Sequence, residues 1–500
     1  MAHSQHFLAV DLGASNGRVF LGRLNDAQLS LEEIHRFAND PVWLMGHQHW
    51  NVLSLWAGIQ QALQSYAVRF QQPLAGISVD TWGVDFALLD AQGRLLANPY
   101  HYRDPRNNGM VDKVQERLSK ESIYATTGVQ FMQINSLYQL YGMVLRDDPL
   151  LETAQRLLFM PDLFNYWLSG EAICEYTIAS TSQMLDANSR SWASSMLDSL
   201  GIPRDILLPL TPPGNVIAPM RRELANALQL KHQPPIITSG SHDTANAVAA
   251  IADLDEHSLY ISSGTWSLVG IEVAEPVITP QALEHNFTNE GGVAGRIRLL
   301  KNVAGLWLLQ ESRRQWRRQG QDYSWEALLQ RAAQAPAFRS LINPDAPDFL
   351  NPADMPAAIA AYCQRHGQAV PEDVGQVVRC CLESLALRYR QVVEALEQLS
   401  GQPLQHIYVV GGGSNNALLC QFTADACQRP VIAGPVEATV FGNILMQAIA
   451  TGDIADLAAG RRLLANAYQR QHFEPSNSEA WQAANKRFQQ VAGGNASGLD

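Results

Sequence analysis

Ser241-His242-Asp243-Thr244 lies between an apolar run, Pro235-Ile-Ile-Thr-Ser-Gly240, and a helix-like stretch from Thr244 to Ala252. A carboxylate held there has the chemistry of a general base for an alcohol. That base need not be strong in phosphoryl transfer, where positioning and charge neutralisation dominate, and a helix N-terminus favours its ionised form. A plain helix cap by Asp243 has the same local sequence. His242 suits a sugar hydroxyl or a satisfied core position equally. Two turns could hold the phosphate donor. Asp11 followed by Gly13, Ser15, Asn16, Gly17 and Arg18 offers close backbone approach, small polar groups and a hard oxygen ligand for Mg²⁺. Ser262-Ser-Gly-Thr-Trp266 repeats that chemistry about half a chain later. The Gly411-Gly-Gly413 run lets the backbone lie against a flat ligand such as adenine, with a helix start behind it. Neither a GxxxxGK[ST] nor a GxGxxG pattern occurs in these turns, which weakens P-loop and Rossmann readings. Asp80-Thr-Trp-Gly-Val-Asp85 and Tyr102-Arg-Asp-Pro-Arg106 pair carboxylates and arginines with aromatic faces, as polyol recognition does. His47-Gln-His49 resembles a metal pair but lacks a third ligand nearby, and reads as surface loop.

Elements that would position these residues are legible nearby. Phe7 to Val10 and Arg18 to Leu24 read as a hairpin, Leu53 to Ala67 as a helix, and Ile77 to Leu89 as strand–turn–strand. Leu259 to Val273 repeats the hairpin theme, which implies two similar α/β domains by internal duplication. Val374 to Ser400 reads as a long amphipathic helix closed by Gly401, followed by a strand at His406–Val410, a glycine turn and a helix from Ala417. Asn343 to Pro356 reads as an irregular excursion. The expected division is 1–252, 253–490 and a disordered tail over 491–500.

Composition narrows the class. The 500 residues are 46% apolar and 17% charged with a formal net charge of −12, an ordinary globular balance. The acidic surface disfavours sequence-independent nucleic-acid binding. No basic n-region opens the chain and no run approaches the ~18 apolar residues of a membrane span, so a cytoplasmic protein is expected. Six cysteines, at 174, 363, 380, 381, 420 and 427, form neither CxxC nor zinc spacing; buried small hydrophobes are expected, with Cys363 and Cys380 able to pair if brought close.

Taken in order, VDLGASNGR (10–18), DTWGVDF (80–86), YRDPR (102–106), SHDTANAV (241–248), YISSGTWSLVG (260–270), NFTNEGG (286–292), KNVAGLWLLQ (301–310), VVGGGSNN (409–416) and IAGPVEATVFGN (432–443) resemble the FGGY family of carbohydrate kinases, from Val10 to about Asn443. The resemblance implies an α/β fold of two ribonuclease-H-like, actin/hexokinase-like ATPase domains around a central cleft, sugar mainly on the first and ATP on the second. It places a phosphate loop on Ala14, Ser15, Asn16, Gly17 and Arg18, with Mg²⁺ near Asp11. Further ATP contacts fall on Thr265, Asn302, Gln310 and Gly412. Sugar contacts fall on Gly83, His242, Asp243 and Thr244, with Asp243 as base; Asp80, Trp82 and Arg103 join them from the residue reading. DTWGVDF and KNVAGLWLLQ look like the branch that phosphorylates the C1 hydroxyl of L-rhamnulose rather than glycerol or xylulose; L-fuculose is the sister alternative. Asn16 and Ser414 replace the more usual Ser and Cys without removing a needed group. The expected partners are a small ketose and ATP, with no nucleic acid and no membrane, and the oligomeric state stays open between monomer and dimer. A non-catalytic nucleotide switch or sugar sensor is the rival class, and an ordinary α/β scaffold the bland one.

Overall fold

The computed structural model describes residues 4–25, 28–70 and 72–493. Two compact units form: Met1–Asp253 with Glu272–Leu299 and Ala438–Tyr468, and Leu254–Ile271 with Leu300–Glu437 and Gln469–Asp500.

The first unit is built on a six-stranded sheet in the order Val216–Pro219, Pro235–Ile237, Leu74–Thr81, Gln5–Leu12, Asn16–Asn25, Gln28–Ala38. Gln5–Leu12 turns back antiparallel into Asn16–Asn25 and runs parallel to Leu74–Thr81. Its residues from His6 to Leu12 are buried without alternation, as expected of a central strand covered on both faces. The register sets Asp11 opposite Arg18 on one side and opposite Asp80 on the other. The helix Val52–Arg69 is capped by the Asn51 side chain and turns Leu55, Ile59, Ala62, Leu63 and Tyr66 inward at helical spacing. Asp243–Ala249 packs on Ala438–Ala450 so closely that a Cβ at Gly442 would lie 1.9 Å from the Asn246 carbonyl oxygen.

One expected pairing is not made. Phe86–Leu89 does not fold back on Leu74–Thr81; it pairs antiparallel with Arg156–Phe159. The chain is diverted at Val84, which takes a φ of 68° and whose carbonyl accepts from Ser136 Oγ at 2.5 Å. His47–His49 is also not loop but a short strand against Val42–Leu44.

In the second unit Ser258–Ser263 pairs antiparallel with Trp266–Val273 and parallel with His406–Val410, which is in turn parallel to Val431–Ala433. This repeats the first unit's sequence of one antiparallel and two parallel pairings, so the duplication expected from the hairpins is present in the topology. The long helix Val374–Ser400 ends at Gly401, which takes a φ of 69° and donates its N–H to Glu397. His406–Val410 leads through a 3₁₀ turn, Gly412–Asn415, into Ala417–Cys427. Asn343–Pro356 is irregular apart from a 3₁₀ turn at Pro347–Phe349 and the start of a helix at Met355.

All six cysteines are free and buried; the thiols of Cys363 and Cys380 lie within hydrogen-bond reach of each other. No helix among the described residues is long and apolar enough to cross a membrane. The helix Ser478–Gly493 extends into the stretch expected as a tail; 494–500 lie outside the described residues.

Candidate active site

Three aspartates come near one another in the first unit, two at strand ends and one at a helix start. Asp11 and Asp80 are neighbours across paired strands, and the Thr81 N–H donates to the Ser241 carbonyl at 2.9 Å, which draws the 241–244 segment alongside. Asp80 is completely buried; its Oδ2 accepts from Asn443 at 2.6 Å and Asn246 at 3.1 Å, while Oδ1 is buried with no partner. Burial first, then the charges of Asp11 and Asp243, hold its carboxyl well above the usual carboxylate range. Asp11 is ion-paired to Arg18.

Asp243 does not cap its helix. His242 occupies the cap position, no side-chain cap bond forms, and Asp243 is the first helical residue. Its Oδ1 accepts from the Thr244 hydroxyl at 3.0 Å, and its side chain keeps 31% of its surface exposed. Contrary to expectation, its pKa is raised rather than lowered by the helix start. Desolvation by the surrounding protein dominates, the nearness of His242 opposes it, and Asp11 adds to it.

The glycine-bearing turn of the first unit is tied down from Asn39. The Asn39 side chain donates to the Gly13 carbonyl at 2.8 Å and its N–H to the Ser15 carbonyl at 3.3 Å. Ser15 is exposed, while Gly17 is buried where a Cβ would strike Phe37 at 2.3 Å. Gly17 therefore serves packing, and Ala14 to Asn16 form the open part of the turn.

The second unit collects its own set. The Thr265 hydroxyl donates to Gln310 Oε1 at 3.1 Å, and the Trp307 N–H donates to the Thr265 carbonyl at 3.1 Å. The triple glycine divides its labour. Gly411 takes a φ of 78°, a Cβ on Gly413 would lie 2.0 Å from Ser263 Oγ, and a Cβ on Gly412 would meet nothing within 4 Å. Gly412 is thus the member open to a ligand. Asn302 lies on Ile297–Ala304, the strand leading to the Gln310 helix.

The aromatic segment is anchored by Asp85, which is completely buried. Its Oδ2 accepts from the indole N–H groups of Trp50 (2.5 Å) and Trp82 (3.0 Å) and from the Tyr102 N–H (3.3 Å); Oδ1 accepts from Gln139 (3.0 Å). Trp82 lies tilted against Trp50 with ring centres 4.0 Å apart, and Trp50 stacks on His101 at 4.2 Å. Burial raises the Asp85 carboxyl to about 6, the four donors opposing it. Asp85 therefore sets the aromatic wall and does not face a ligand itself. Arg103 follows on the same segment, its guanidinium 5.4 Å from the Tyr102 ring centre. Gly83 packs against Thr181, whose hydroxyl accepts the Val84 N–H at 3.0 Å.

The sequence model of the FGGY family of carbohydrate kinases, N-terminal domain, matches residues 6–250, and that of the C-terminal domain matches 259–451. The chain belongs to this family. Curated relatives named rhamnulokinase are similar over nearly the whole length. The one from Bacteroides thetaiotaomicron is 45% identical over 97% of this chain and 99% of the relative. Those from Pectobacterium carotovorum (43%, covering 98% and 97%) and Oceanobacillus iheyensis (38%, covering 92% and 96%) agree. Solved structures share the fold: a gluconate kinase from Lactobacillus acidophilus, with a TM-score of 0.82 at 17% identity over 99% of both chains, and Plasmodium falciparum glycerol kinase with ADP, 0.76 at 14% over 98% of both.

FGGY kinases use ATP as phosphate donor. Neither Asn39 nor Arg298 falls in a motif of the sequence, and Glu290 lies within NFTNEGG (286–292) with no role of its own there. Arg298 is wholly buried, on the strand Ile297–Ala304. Its signal was present as an arginine set in an otherwise apolar run, Ile297-Arg-Leu-Leu300. A charge in such a run is retained only with partners.

Proposed function

We propose that the chain transfers the γ-phosphoryl group of ATP to the C1 hydroxyl of L-rhamnulose, giving L-rhamnulose 1-phosphate and ADP. Full-length similarity to relatives named rhamnulokinase supports the substrate. The observation that carries the chemistry is Asp243, a carboxylate that heads its helix without capping it and stays partly open. In this reading Asp243 accepts the C1 hydroxyl proton as the new O–P bond forms and ADP leaves. His242, Thr244 and the Gly83 backbone orient the sugar, with Trp82 and Arg103 on the aromatic side. The turn from Ala14 to Arg18 is assigned phosphate oxygens, and Thr265, Gln310, Asn302 and Gly412 are assigned the nucleotide.

The residues around Asp11 fit Mg²⁺. Asp11 stands opposite Asp80 across paired strands, and Asp80 Oδ1 is buried without a partner, so hard carboxylate oxygens are at hand for the ion. No group of three or more His, Cys, Asp or Glu among the described residues is spaced to hold a metal alone. Mg²⁺ needs only one or two carboxylates beside phosphate and water oxygens. Bound near Asp11, it supplies charge neutralisation at the β and γ phosphates. The enzyme would act in the cytoplasm, where ATP is supplied.

ADP release measured with ATP, Mg²⁺ and a panel of L-rhamnulose, L-fuculose, D-xylulose and glycerol tests this reading. L-Rhamnulose is expected to give the highest kcat/KM. Preference for another member overturns the substrate, and no sugar-stimulated ADP overturns the kinase.

A further inference from the structure

His242 is gripped from two sides. Its backbone N–H donates to the Thr177 hydroxyl at 3.2 Å, and that hydroxyl donates to Glu175 at 2.6 Å. Its ring Nδ1 lies 3.0 Å from Nη2 of Arg298. Arg298 has 0% exposure; its Nε donates to the Gly291 carbonyl at 3.0 Å and its Nη2 also reaches Glu290 Oε2 at 3.2 Å.

A guanidinium has donors and no acceptor, and it stays charged in proteins. At 3.0 Å its partner on the ring must therefore be a lone pair. Glu290 Oε2, 3.4 Å from the same Nδ1, would favour a proton there, but it is farther away and already engaged by the guanidinium. The proton of the neutral imidazole is left on Nε2, the nitrogen that lies 3.4 Å from Asp243 Oδ1. The Thr244 hydroxyl donates to that same oxygen. The Thr244 hydroxyl is thus bonded to Oδ1, and the Nε2–H faces the same oxygen from 3.4 Å, a distance that biases the carboxylate by charge. The opposite tautomer would point the Nε2 lone pair at a carboxylate oxygen, repelling it.

We propose that Arg298 is a positioning residue for phosphoryl transfer: by occupying the lone pair of His242 Nδ1, it fixes the imidazole as the Nε2–H donor that orients the Asp243 carboxylate. This rests on Asp243 being the base. A residue two steps from the chemistry works in the same manner as partners that set a tautomer elsewhere.

Nitrogen NMR of the full chain, with histidine labelled and His242 assigned by its loss in His242→Gln, reads the tautomer without reference to activity. Wild type is expected to show Nε2–H; Nδ1–H overturns the proposal. In Arg298→Met the His242 signal is expected to lose its single tautomer. There kcat should drop roughly 10- to 100-fold with KM for ATP within about twofold, and Arg298→Lys, which keeps a donor, should recover part of kcat. A lowered melting temperature with an unchanged tautomer marks Arg298 as merely structural and overturns it. Should Arg298→Met fail to fold, His242→Gln against His242→Asn decides with Arg298 intact. The Gln amide reaches the Nε2 position and should retain more kcat; equal losses overturn the proposal. Failure of wild type to release ADP with L-rhamnulose counts against the proposed function and leaves the NMR result standing.

Discussion

Asp85 and Asp243 come from motifs that both look made for sugar chemistry, yet the fold gives them opposite work. Asp85 has no exposed surface and accepts four hydrogen bonds, two of them from indoles. Asp243 keeps 31% of its side chain open and accepts the Thr244 hydroxyl on one oxygen. Both carboxyls are pushed up by desolvation. What separates them is access and saturation: a carboxylate whose lone pairs are filled by fixed donors cannot take a substrate proton, whereas one with an oxygen to spare can.

The sharpest way to break this contrast is Asp243→Asn. It should lower kcat roughly 10²–10⁴-fold, the usual worth of a general base. Melting temperature and ADP affinity by calorimetry should stay near wild type. Near-normal turnover would remove Asp243 from the mechanism and erase the distinction. Asp85→Asn should behave inversely. The amide sets two donors against groups that themselves donate, so stability in urea should drop by about 2–3 kcal/mol. The folded variant should keep kcat within about tenfold of wild type. A kcat loss as large as that of Asp243→Asn would show that Asp85 takes part in the chemistry.

A smaller effect separates them by pH. The Asp85 carboxyl rises from the ordinary 3.8 to about 6. Its protonated form is thus the one the fold favours. The stability this contributes is complete below the unfolded value and is lost as pH rises through about 6. Urea midpoints of wild type should therefore fall between pH ~4 and ~7 by more than those of Asp85→Asn. Parallel curves would mean that Asp85 titrates as it does unfolded.

The smallest test carries the same contrast to the second unit. Gly412→Ala meets open space and should fold normally while raising KM for ATP a fewfold, about 1 kcal/mol of lost contact. Gly413→Ala must push against Ser263 Oγ and should lower the melting temperature instead. Equal effects on stability would mean that both glycines are packing residues.

Much of this was legible locally. Both hairpins, the long helix with its Gly401 stop, and the strand–glycine–helix passage after His406 appear where spacing and turn residues put them. The motifs to which the nucleotide is assigned in the second unit were legible too, and Thr265 and Gln310 do meet. Less legible was which members of a motif face a ligand. Asp80 and Asp85 read as polyol contacts; both are buried among donors, because those donors come from Asn443, Asn246, Trp50 and Gln139, none of which belongs to the motif.

By itself, then, the sequence determined the turns, the caps and the reactive residue types, since each depends on neighbours a few positions away whose φ preferences and side-chain donors act locally. Tertiary structure decided the rest. It brought Asn443 to Asp80 across 363 residues and Arg298 to His242 across 56. Hydrogen bonding and desolvation depend on distance in space, so only the folded chain settles which aspartate is saturated and which stays partly open.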